Sequence, residues 1–131
     1  MSEATGERWE FADGPGSGAD GSVAGLVAGL RGRIGGGRLE NWLHSSLGRQ
    51  LAVVSNGERA MVLLLSGPGD PGEHAVTPGA DGCSDGFVLA NGQADTYPDA
   101  DTVPLERALH LVAHLLTTGA PPPDAPWSID R

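Results

Sequence analysis

Residues 50–66 read Gln-Leu-Ala-Val-Val-Ser-Asn-Gly-Glu-Arg-Ala-Met-Val-Leu-Leu-Leu-Ser. Two apolar runs flank the dipeptide Asn56-Gly57. Asn-Gly tolerates the positive φ angles of a two-residue turn, so 50–55 and 58–66 are expected to pair antiparallel as a hairpin. The same signature returns at Asn91-Gly92, between 87–90 and 93–97, and predicts a second hairpin. Two further runs, 8–12 with Trp9 and Phe11 on one side and 39–43, read as strands.

Around these hairpins the period changes from two to 3.6. Val23, Leu26, Val27 and Leu30 recur at three- and four-residue spacing, which predicts a helix over 22–33. Asp20 or Ser22 is placed to cap it, and Gly35, Gly36 and Gly37 stop it. Leu105, Ala108, Leu109, Val112, Leu115 and Leu116 form a single stripe on a second helix. Asp101 or Thr102 is its expected cap, and Pro104 falls in the first turn, where a missing N–H costs little. Gly119 ends it, and Pro121, Pro122 and Pro123 keep it from resuming. The segments 13–21 and 67–86 read as Gly- and Pro-rich loops, and 1–7 as a frayed end. The order strand, helix, several antiparallel strands, helix is that of an α+β domain spanning 1–131. The expected architecture is a mostly antiparallel sheet of about four to six strands with two main helices packed on one face.

The chain has 131 residues, with 17 acidic side chains against 8 basic ones and a formal net charge of −9. That balance repels a phosphate backbone or an anionic membrane and favours a basic partner. No basic patch interleaved with aromatics is present, so neither nucleic acid nor membrane is expected as a partner. A single cysteine, Cys83, excludes an intramolecular disulfide. The first residues lack a charged-then-apolar leader pattern, and the run 61–65 is too short to span a bilayer, so the expected location is cytoplasmic.

Several motifs match in form and lack the context their chemistry needs. Gly16, Gly18 and Gly21 satisfy a dinucleotide fingerprint, but hairpins surround them where buried parallel strands are required. Gly82-Cys-Ser84-Asp-Gly86 satisfies the nucleophile-elbow pattern, with Asp95, Asp99, Asp101 and then His110 or His114 following. An elbow needs a buried strand before it and a helix after it, whereas a polar loop and a strand are expected. His110 and His114, four residues apart, share a helix face, but no Glu stands between them and no tight four-ligand set exists. Cys83 has no cation nearby to activate it as a nucleophile. The expectation is therefore a protein without catalysis, cofactor or metal.

One stretch is more specific. Asn91-Gly92, Tyr97-Pro98, the Val-Pro-Leu-Glu of 103–106, the Thr-Gly-Ala-Pro-Pro of 118–122 and Trp127 together resemble the immunity family numbered first among those of bacterial polymorphic toxin systems. The resemblance covers about residues 86–127. It implies a small cytoplasmic α+β protein that binds and inhibits the catalytic domain of a toxin encoded beside it, commonly a nucleic-acid deaminase. Most of the resembling residues also have plain structural roles in turns, in chain direction and in packing over the last helix. The contact surface is therefore sought elsewhere. Aromatic residues dominate the energetics of protein interfaces, which singles out Trp9, Trp42 and Tyr97, with Asp95, Asp99 and Asp101 as a charged rim. One Trp is expected to be core. Two other readings compete: a secretion adaptor or small acidic scaffold, and a small enzyme or nucleotide-binding protein using the Gly-rich loop or Ser84.

Overall fold

The computed structural model describes residues 7–12 and 22–130. The expected loop at 13–21, with its glycine fingerprint and Asp20, and the end at 1–6 lie outside the described residues. In chain order the elements are β1 (Trp9–Phe11), α1 (Val23–Gly35), β2 (Glu40–Ser45), β3 (Gln50–Ser55), β4 (Arg59–Leu65) and β5 (Glu73–Ala75). Then come β6 (Cys83–Val88), β7 (Ala94–Pro98), a 3-10 turn (Asp99–Asp101), β8 (Val103–Pro104), α2 (Leu105–Thr118) and β9 (Trp127–Ile129). Seven strands form one sheet in the order β1-β2-β3-β4-β5-β9, with β8 also alongside β4. β6 and β7 form a separate two-stranded ribbon. Every pairing is antiparallel. The fold is α+β, as the alternation of periods predicts.

The register assigns the two faces of the sheet. Phe11 pairs with Leu43, Leu43 with Leu51, and Leu51 with Leu64. These residues share one face with Trp9, Val53, Ala60 and Val62, and that face joins Leu26, Leu30 and Ile34 of α1 and the apolar stripe of α2 in a single core. Ser22 caps α1 by accepting from the Gly25 N–H at 2.9 Å. Gly119, at φ 83°, ends α2 in the left-handed conformation that favours Gly.

Both Asn-Gly hairpins form, but neither has a two-residue turn. Ser55 pairs with Ala60 and the Asn56 N–H donates to the Arg59 carbonyl, so the three residues 56–58 connect β3 to β4. Only Gly57 adopts positive φ, and Asn56 works through its side chain. Its Oδ1 accepts from the N–H of Glu58 and of Arg59, at 2.9 and 2.7 Å. Asn91 similarly accepts from the Gln93 N–H, with Gly92 at φ 89°. The start of α2 also departs from expectation. Neither Asp101 nor Thr102 caps it; Pro104 takes the N-cap position with no side-chain bond. Val103–Pro104 pairs with β4, and the Leu105 N–H donates to the Glu58 carbonyl. That tertiary bond satisfies a donor a cap would otherwise serve.

The loop expected over 67–86 contains β5 and the first half of β6. A three-residue strand between Pro71 and Pro78 is too short to show a period of two. β5 and β9 take the sheet past the expected strand count. Trp127, expected over the last helix, lies in β9 with its indole N–H donating to Glu73 Oε1 at 2.6 Å, half-buried against the core.

Candidate partner-binding face

The sheet face away from the helices is partly covered. Ala52 and Val54 point there, yet they are only 1% and 4% exposed. The ribbon lies over them, with β6 packed on β3. Phe87, fully buried, anchors it, and its ring lies 4.8 Å from that of Tyr97 at 58°, a tilted contact. A bulge between Ser84 and Phe87 bends β6, with Gly86 at φ 85°.

Polar ties fix both ends of the ribbon. At its tip, Glu40 Oε1 accepts from the Ala90 N–H at 2.8 Å while Oε2 accepts from the Trp42 indole at 2.9 Å. These two donors, Ala90 first, hold the Glu40 carboxyl below its ordinary range. The Tyr97 hydroxyl donates to Asp95 Oδ2 at 2.9 Å, and Asp95 Oδ1 accepts from Gln93 at 2.7 Å. Burial, the hydrogen bond to Asp95 and the charges of Asp95 and Glu40 push Tyr97 up to about 12. Glu40 thus ties Trp42 to the ribbon tip, and its charge acts on Tyr97, whose hydroxyl is held by Asp95 along the same seam. A groove of about 590 Å³ opens beside it, lined by Leu39, Trp42, Val88, Leu89, Arg33 and Arg38.

At the foot of the ribbon, Ser84 donates to Asp99 Oδ1 at 2.5 Å, and the Asp99 N–H to the Gly82 carbonyl at 3.0 Å. Arg59 braces the turn through Thr102 Oγ1 at 2.7 Å and the carbonyls of Asp99 and Thr102 at 3.2 and 3.0 Å. Asp101 contacts His74 Nε2 at 3.0 Å. The six expected contact residues therefore divide. Trp42, Asp95 and Tyr97 share the seam; Asp99 and Asp101 are engaged in the turn. Trp9, 6% exposed, is core, with the Arg49 guanidinium 5.5 Å from its ring. It packs in the core, as one Trp was expected to do.

The formal motifs resolve in the same way. Ser84 lies within strand β6, followed by β7, so the strand-to-helix strain of an elbow is not built. His114 Nδ1 is 2.9 Å from the Ala120 carbonyl and serves the end of α2. Among the described residues no cluster of three or more His, Cys, Asp or Glu is placed to hold a metal.

Charge is polarised along the chain. From 60 to 106 there are Asp70, Glu73, Asp81, Asp85, Asp95, Asp99, Asp101 and Glu106, with no Lys or Arg. From 22 to 59, Arg31, Arg33, Arg38, Arg49 and Arg59 outnumber Glu40 and Glu58. Among the described residues, no cation lies within ion-pair distance of Asp81, Asp85 or Asp95 on the ribbon. No described helix is long and apolar enough to cross a membrane. Comparison with protein-family models, curated proteins and solved structures gives no match.

Proposed function

We propose that this chain is an immunity protein that binds the catalytic domain of a cognate bacterial toxin and blocks its active-site cleft. The toxin class that the resemblance over 86–127 implies is a nucleic-acid deaminase. The observation that carries the reading is the ribbon region: among the described residues no cation pairs with Asp81, Asp85 or Asp95, and Asp95 holds the Tyr97 hydroxyl. An enzyme that grips nucleic acid presents a cationic cleft, and an acidic ribbon complements it. Complementary fields speed encounter and exclude wrong partners, while aromatic anchors slow dissociation. In this reading Asp81, Asp85 and Asp95 occupy the substrate's phosphate path, Trp42 and Tyr97 provide the apolar contact, and the protein itself catalyses nothing. It acts in the cytoplasm, where the toxin's nucleic-acid substrate resides.

Co-expression with the toxin domain encoded beside it tests the proposal through survival and co-purification. The expected result is rescue with a stable 1:1 complex. Neither rescue nor complex would remove the immunity reading for that pair; capture by a secretion component instead would favour an adaptor.

A further inference from the structure

His74 sits where three segments meet. It belongs to β5, its Nδ1 is 2.7 Å from Asp130 Oδ2 just beyond β9, and its Nε2 is 3.0 Å from Asp101 Oδ1 in the 3-10 turn. Its side chain is 16% exposed. A neutral imidazole carries one N–H, so it can donate to only one of two carboxylates and turns a lone pair on the other. With a carboxylate at each nitrogen, the arrangement fits the imidazolium. We propose that His74 is a proton-operated latch: its two N–H groups hold β9 and the turn at the foot of the ribbon against β5, and loss of one proton loosens β9 from the sheet edge.

The surroundings support a local device. The residues paired with His74 across the sheet, Leu63 on β4 and Ser128 on β9, do not titrate in this range. Glu73, beside it on β5, is held by the Trp127 indole. Arg59 is the cation anchored to the same turn, within 3.7 Å of Asp99 Oδ1. Besides the latch, β9 is held by a three-residue ladder to β5, the packing of Trp127 against the core and its bond to Glu73, the Val76 N–H donating to the Pro126 carbonyl and the Asp130 N–H donating to the Gly72 carbonyl. A ladder that short is an edge whose opening costs far less than global unfolding. A charge-assisted contact is roughly twice as strong as a neutral one, so it adds measurably to what closes that edge.

Burial alone would push His74 down; the hydrogen bonds to Asp101 and Asp130, and their charges, outweigh it and hold His74 above its ordinary value. A folded value raised above the unfolded one gives stabilisation that is complete below the unfolded value and lost as pH rises through the folded one. The latch therefore opens on the alkaline side.

NMR on the full chain between pH 5.5 and 9.5 tests this, following the His74 ring and the protection factors of amides 127–130. Protection factors, unlike raw exchange rates, have the intrinsic pH dependence divided out. The expected result is a fall of roughly three- to tenfold in protection at 127–130, with the His74 midpoint, while β3 and β4 are unchanged. His74→Gln should flatten the profile. Asp130→Asn, which keeps shape and removes charge, should lower the His74 midpoint and loosen 127–130 already at acid pH. Protection that ignores the His74 titration, or a midpoint that Asp130→Asn leaves unmoved, overturns the proposal. This device does not depend on the toxin reading.

Discussion

The two faces of the main sheet are covered in different ways. On one, α1 and α2 bring two apolar stripes onto Leu43, Leu51, Val53, Val62 and Leu64, with the buried polar side chains of Asn41, Ser45 and Ser55 towards the strand ends. On the other, a single ribbon rests on Ala52 and Val54 through Phe87 and Tyr97, and is then tied by Glu40, Asn56, Ser84 and Asp99. Hydrophobic burial is non-directional and large, and hydrogen bonds are directional and small in net contribution. The helix face therefore supplies most of the stability. The ribbon face supplies geometry, holding Asp95, Trp42 and Tyr97 half-buried in fixed positions and leaving Asp81 and Asp85 exposed.

The comparison is broken most directly on the helix side. Leu115→Ala, at a fully buried position of α2, should cost about 2–5 kcal/mol in denaturant unfolding. Phe87→Ala should cost less globally, about 1–2 kcal/mol. Its amides over 83–98 should lose exchange protection before the rest of the sheet, because the ribbon can open without the helix core. Equal and concerted losses for the two variants would show one cooperative unit and end the distinction.

Charge on the ribbon sharpens it further. Reversing Asp81, Asp85 and Asp95 to Arg should slow association with the toxin domain by about tenfold and flatten its salt dependence. Unfolding should change by no more than about 0.5–1.5 kcal/mol, the cost of the lost Tyr97–Asp95 hydrogen bond. Stopped-flow binding and thermal melts read the two effects separately. The smallest effect is at the tip. Glu40→Gln should weaken Ala90 amide protection by the equivalent of about 0.5–1.5 kcal/mol. Because the Glu40 carboxyl is held below its ordinary range, its contribution is complete above that range and lost as pH falls through the depressed value. The parent's Ala90 protection should fall in acid, and the Glu40→Gln variant's should not.

Much of the helix face was legible. The stripe from Leu105 to Leu116, Ser22 as a cap and Gly119 as a stop depend on local spacing and turn chemistry, which a sequence displays. What is decided by partners far along the chain was not. Thr102 looked like a cap and is buried beneath Arg59; Pro104 begins α2 because the Leu105 N–H finds Glu58. Asn56 and Asn91 marked both hairpins, but their side chains, not their backbones, shape the loops. One clue to the ribbon was present. The run 51–54 is apolar without alternation, a pattern of strands buried on both faces. For the candidate face, Trp42, Asp95 and Tyr97 were singled out from residue type alone. Glu40 was missed because a lone Glu in an amphipathic strand reads as solvated; only the folded chain brings Ala90 to it, 50 residues on.

The central proposal, that the ribbon face meets a toxin domain, is tested most directly by hydrogen exchange on the complex with the proposed toxin domain. The account predicts new protection over 81–99 and around Trp42, with the exposed side of α2 unchanged. Protection confined to α2, around Arg107 and His110, with the ribbon unaltered, would contradict it.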